Sequence, residues 1–133
     1  LLYRREDPGF RRERRAAVVA MTGALPVFLL FPTAPPRTRD GFVDTLAHRG
    51  MDLDHPLLVR FYNPIAAMPS HHVAFAVVTG FGLGARSRTP LSRALWRLYP
   101  VAVTGVVLGT ANHYTLDAVA GAVLGVIARR MTR

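Results

Sequence analysis

The stretch Leu98-Tyr-Pro-Val-Ala-Val-Thr-Gly-Val-Val-Leu-Gly-Thr-Ala-Asn-His-Tyr-Thr-Leu-Asp-Ala-Val-Ala-Gly-Ala-Val-Leu-Gly-Val-Ile-Ala128 decides how the rest of the chain is read. It is too apolar for a surface segment and too long for one bilayer crossing, which takes about 20 residues. His113 and Asp117 are its only imidazole and carboxylate. A turn near Thr110 to Asn112 divides it into two helices, the second ending at Arg129-Arg130. His113 and Asp117, four apart, then share a helix face, and the carboxylate can accept from one ring nitrogen. A buried ionisable pair in such surroundings is expensive and usually has a task.

Working outward, Thr89-Pro90 supplies an N-cap and an N1 proline, so the first of these helices starts there and runs to about Ala111. Ser70 to about Arg86 forms another, with Ser70 as its cap. From Ala16 to Phe31 the chain is again apolar, with Pro26 expected to kink it or end its regular bonding early. Phe31-Pro-Thr-Ala-Pro-Pro-Arg37 cannot stay helical, because three prolines remove donors and favour extended geometry before them. Residues 1 to 15 read as a polar loop broken at Pro8-Gly9, and Gly41 to Arg49 as a short surface helix.

The chain has 133 residues, enough for one domain, with 17 basic residues, all arginine, and a net charge of +9. The arginines sit between the apolar runs and do not interleave with aromatics as a single-strand nucleic-acid surface requires, so nucleic acid is not an expected partner. Assigning residues 1 to 15, 86 to 97 and 129 to 133 to one side of a membrane puts 13 arginines and 3 acids there, against 4 arginines and 5 aspartates on the other. That asymmetry follows the positive-inside rule. The expected fold is therefore all-α: a polytopic transmembrane helix bundle with four spans, multi-pass in a bacterial plasma membrane. Residues 32 to 69 would be an extracytoplasmic loop. Small residues four apart (Gly80 and Gly84, Gly105 and Gly109, Gly121 and Gly125) read as close helix packing. Cysteine is absent, which excludes disulfides, thiolate nucleophiles and Cys-metal sites.

This topology gathers four features at the extracytoplasmic face: Arg37 at the proline-rich exit, the Ser70 helix start with His71 and His72, His113, and Asp117. A helix N-terminus beside an imidazole suits an oxyanion, phosphate above all. Asp117 would orient His113 and leave its other nitrogen able to attack.

Met68-Pro-Ser-His-His72 resembles the P-S-x-H motif, and Asn112-His-Tyr-Thr-Leu-Asp-Ala-Val-Ala-Gly121 the H-x-x-x-D motif, of the type 2 phosphatidic acid phosphatase superfamily. Residues 31–37 and 63–75 further resemble its bacterial branch related to inositolphosphoryl-ceramide synthases. The resemblance covers about residues 1 to 130. It implies a metal-independent phosphoric monoester hydrolase without a cofactor, acting on a lipid or polyprenyl phosphate in the membrane. His113 would be the nucleophile that forms a phosphohistidine, Asp117 its orienting partner, His72 the acid that protonates the leaving alcohol, and Ser70 a phosphate-binding group. It also implies six spans, two of them upstream of Leu1. The family's first motif has a lysine and an arginine, and its third an arginine six residues before the nucleophile; here there is no lysine and that position is Val107. Arg37, with Arg39 in reserve, is the candidate replacement cation. Transfer to an alcohol such as inositol, a two-His-one-carboxylate metal site at His72, His113 and Asp117, and a degenerate membrane module are the alternatives.

Overall fold

The computed structural model describes residues 8–45, 47–51, 55–59, 63 and 65–133. Four long helices carry the fold: α1 (Pro8–Leu30), α3 (His71–Arg86), α4 (Pro90–Gly109) and α5 (Thr115–Met131), with α2 (Pro56–Val59) a single turn in the loop before α3. The cap positions are as their sequences require. Ser70 accepts from the Val73 N–H at the start of α3, and Thr89 from the Ser92 N–H at the start of α4, where Pro90 follows.

The helix α1 begins eight residues before the apolar stretch. Pro8 occupies its first position and the arginines after it are good helix formers, so residues 8–15, expected as loop, are helical. Pro26 lies within α1 without ending it. Of the short helix expected over Gly41 to Arg49, the described residues show a single 3₁₀ turn, Ala47–Arg49. Residues 46, 52–54, 60–62 and 64 of the 32 to 69 loop, Arg60, Asp52 and Asp54 among them, lie outside the described residues.

The all-α class holds, but the transmembrane bundle does not: among the described residues, no helix is long and apolar enough to cross a membrane. The physical reason is where the arginines fall. In α1 they occupy the first turns, so the uncharged remainder, Ala16–Leu30, spans roughly 22 Å at 1.5 Å per residue, against about 30 Å of hydrocarbon. In α4 Arg93 and Arg97 take up the first two turns. α3 and α5 are 16 and 17 residues long.

α3 and α5 form the central pair, and α1 and α4 flank it. The core is made of small side chains. Ala16 and Ala20 of α1 meet Ala74 and Val78 of α3 and Ala128 of α5, while Val73, Val107 and Ala118 join α3, α4 and α5. Small residues let the backbones approach closely. A Cβ at Gly121 would fall on the Ser70 carbonyl, and one at Gly125 would come within 2.7 Å of the Ala74 carbonyl. Gly80 similarly meets the α4 backbone at Trp96. Gly105 and Gly109 share the four-residue spacing but face open space, so the packing expected of that pair is absent.

Candidate active site

Three backbone ties assemble one end of the bundle. Thr33 donates to the Ile65 carbonyl and accepts from Ala67, each at a distance near 2.8 to 2.9 Å, which pins the proline-rich loop to the segment that leads into α3. The Arg37 N–H donates to the Ala111 carbonyl at 2.9 Å, joining that loop to the turn before His113. The Ser70 N–H donates to the Asp117 carbonyl at 2.9 Å, where Gly121 permits close approach. The turn itself puts Ala111 at φ 51°, a left-handed conformation costing roughly 1–2 kcal/mol for a residue with a Cβ. Such strain is held by its surroundings, here by the Val107 carbonyl, which accepts from both the Asn112 and His113 N–H groups.

His72 Nδ1 lies 3.4 Å from His113 Nε2. On the opposite side of the same ring, His113 Nδ1 is 3.8 Å from Asp117 Oδ2. That is an ion-pair distance and too long for a hydrogen bond. Asp117 Oδ2 is instead bonded at 2.8 Å by the Tyr114 N–H, at the positive end of α5, which stabilises a carboxylate that is 2% exposed. Burial, then the neighbouring His72, lower the pKa of His113 below the ordinary imidazole value; the nearby Ala67 carbonyl and Asp117 carboxylate pull the other way, and Arg37 adds to the lowering. His113 is thus kept neutral, with Nε2 turned towards His72.

The two adjacent histidines part company. His72 faces His113, whereas His71 packs edge-on against Phe28 of α1 and stacks on Phe75, its pKa lowered mainly by burial. Ser70 is fully buried and its hydroxyl caps α3, so what it offers an anion in this arrangement is the helix terminus that it organises. Arg37 is buried to 7% exposure; its Nη1 donates to Asn112 Oδ1 and its Nε lies 3.6 Å from Asp44. Arg39 is exposed and is not drawn into this cluster. Val107, where the family carries an arginine, is buried against Val73 and Ala118. The sequence reading passed over Asn112 as a side chain with a role; its position next to His113 was the available signal.

His72, His113 and Asp117 do not converge on one point, because His72 and Asp117 face opposite nitrogens of the His113 ring. Among the described residues no group of three His, Asp or Glu side chains is placed to hold a metal ion. Beyond His72, a cleft of about 470 Å³ runs between α3 and α4, lined by His72, Phe75, Thr79, Tyr99, Val103 and Val106.

A family model described as the PAP2 superfamily matches residues 1–131. The chain belongs to that superfamily, whose chemistry is phosphatase-type phosphoryl transfer. No curated protein and no solved structure matches the chain.

Proposed function

We propose that the chain is a phosphatase of lipid phosphates that works through a phosphohistidine on His113, without a metal ion, and that it sits in the branch of the superfamily resembling inositolphosphoryl-ceramide synthases. The observation that carries the reading is the sandwich of the His113 ring: a second imidazole on Nε2 and a buried carboxylate near Nδ1.

In the first step the His72–His113 contact opens to admit the phosphate. The Nε2 lone pair of neutral His113 attacks phosphorus while the P–O bond to the alcohol breaks, and protonated His72 gives its proton to the leaving oxygen. The imidazole gains positive charge on becoming a phosphohistidine, and its Nδ1–H then points at Asp117, which stabilises that charge. In the second step neutral His72 takes a proton from water, the water oxygen attacks phosphorus, and the P–N bond breaks to return neutral His113 and release phosphate. Arg37 and the first turn of α3 supply the positive potential for the equatorial oxygens. The leaving alcohol departs on the side of His72, where the cleft is almost wholly apolar, which favours an alkyl or isoprenoid alcohol over a polar one. Exposed Leu29, Leu30 and Phe31 at the end of α1 and Leu95, Leu98 and Val106 along α4 fit work against a lipid surface.

The test is to incubate the protein with a ³²P-labelled lipid phosphate in the presence of a chelator, quench, and assay acid-labile label on histidine. The expected result is label in the parent, none in His113→Ala, and retention or build-up in His72→Ala. Equal labelling of the two variants would overturn the assignment, and label abolished by chelation would overturn metal independence.

A further inference from the structure

The cleft that opens at His72 has a definite far end. It runs along α3 from His72 to Thr79 and along α4 from Val107 back to Tyr99, so each wall is about 10 to 12 Å long at the helical rise per residue. Phe75, Ala76, Val103 and Val106 make its middle apolar, whereas Thr79 and Tyr99 bring hydroxyl groups at the end. α4 is pinned to α3 at this level. Pro100 has no N–H to return to the Trp96 carbonyl, and that carbonyl, with the Pro100 ring, lies where a Cβ on Gly80 would fall. The Tyr99 ring, next to Pro100 in sequence, meets the Trp96 ring edge-on at 6.0 Å and 75°. Past Tyr99 a second hollow of about 550 Å³ continues over Leu98 and Leu95 towards Thr89, and Tyr99 and Ala102 line both.

We propose that Tyr99 is a specificity-determining residue that sets how much of the substrate's alkyl chain the protein holds: the cleft seats about the first eight to ten carbons, and the Tyr99 ring ends it. This rests on the reading of His72 as the acid for the leaving alcohol. The leaving oxygen then lies at His72, so the carbon attached to it enters the cleft from that end. An extended chain advances roughly 1.25 Å per carbon with bonds of about 1.5 Å, which fits the length of the two walls. Each methylene laid against Phe75, Val103 and Val106 exchanges water for apolar surface, and the gain repeats until the hydroxyl-bearing end is reached. Beyond it a longer chain has to pass a ring held by Trp96 and by the Pro100–Gly80 contact. The second hollow would accept that chain if the ring were gone, because its walls at Leu98 and Leu95 are apolar as well. Tyr99 is 41% exposed, so truncating it leaves the buried core in place.

The experiment uses the full chain, the variants Tyr99→Ala, Tyr99→Leu and Tyr99→Phe, and unbranched alkyl phosphates from butyl to hexadecyl at one fixed detergent concentration. kcat/KM is measured for each ester. The matching alkylphosphonates, which have no ester bond to break, are followed for binding by the imidazole NMR signals of His72 and His113. In the parent, kcat/KM should rise roughly fourfold per methylene up to about eight to ten carbons and then level off. In Tyr99→Ala the rise should continue past that length, so the ratio of variant to parent grows with each further methylene. Tyr99→Leu should move the break the same way by less, and Tyr99→Phe, which keeps the ring, should break where the parent does. A parent without a break, a break that stays in place in Tyr99→Ala, or one that moves equally in Tyr99→Phe would overturn the inference. A parent that binds the phosphonates but cleaves no alkyl phosphate would sink the phosphatase reading, and the length dependence of binding would still decide the role of Tyr99. A parent that binds none of them would sink both.

Discussion

The two ends of the α3–α5 pair solve the same problem in opposite ways. At the end away from the histidines, Arg129 donates to Glu13 at 2.6 Å and to the Val78 carbonyl at 2.8 Å, clasping α5 to α1 and α3. Gly82 leaves the room that the Glu13 carboxylate occupies. Both charges there are paired and bonded. At the other end, Arg37 bonds the Asn112 amide and pairs with Asp44 at 3.6 Å, His113 stands 3.8 Å from its carboxylate, and two imidazoles face each other. Buried polar groups that are fully satisfied hold a fold together, whereas those left short of a partner's reach are candidates for chemistry.

The comparison breaks most directly at His113. Replacing it with Ala should lower turnover on the order of 10⁴-fold or more, since groups acting as a unit fail together, with the helical circular dichroism unchanged. Asp117→Asn keeps an acceptor for the Tyr114 N–H and should lower kcat roughly 10²-fold. Its pH profile carries the sign. The Asp117 charge raises the pKa of His113, so its removal lowers that pKa further and moves the acid limb of kcat/KM to lower pH; a shift to higher pH would contradict the assignment.

Glu13→Ala tests the other end. It leaves Arg129 with the Val78 carbonyl and no counter-charge, and should cost roughly 3 kcal/mol of stability by denaturant titration. Turnover per folded molecule should stay at the parent level. A glycine pair sharpens the contrast on a smaller scale. Gly121→Ala forces α3 away from α5 at Ser70, costing about 1–3 kcal/mol and some activity. Gly105→Ala meets nothing within 4 Å and should add about 1 kcal/mol through helix propensity. The smallest effect is with pH. His71 and His113 both have pKa values lowered chiefly by burial, so the unfolded chain takes up protons first as pH falls below about 6.5. Stability should therefore be fully present above that value and decline towards the depressed folded values. The slope should flatten in His71→Phe, as read by denaturation midpoints between pH 7.5 and 5.

The helix starts at Ser70 and Thr89 and the turn at Thr110 to Asn112 were legible in the sequence because a cap, a proline or a turn is a property of a few neighbouring residues. The gathering of Arg37, Ser70, His113 and Asp117 at one end of the bundle was legible from the order of the apolar runs. The extent of α1 was not, because a run of arginines is equally compatible with a loop and with the first turns of a helix. That ambiguity bears on the transmembrane expectation at α1, where the arginines lie inside the helix and leave a shorter apolar part. Arg39, the reserve for Arg37, is separated from it by a two-residue step that leads from a buried turn to the exposed surface.

By itself the sequence determined an all-α chain, the order of its long helices, and the residues proposed to transfer a phosphoryl group. The tertiary structure alone decided which glycines touch a backbone, which of two adjacent histidines meets His113, and that Glu13 finds Arg129 across 116 positions of sequence. Local propensity acts over a turn or two, whereas these outcomes depend on how α3 and α5 close on each other, and that distance is set by small side chains from every long helix at once.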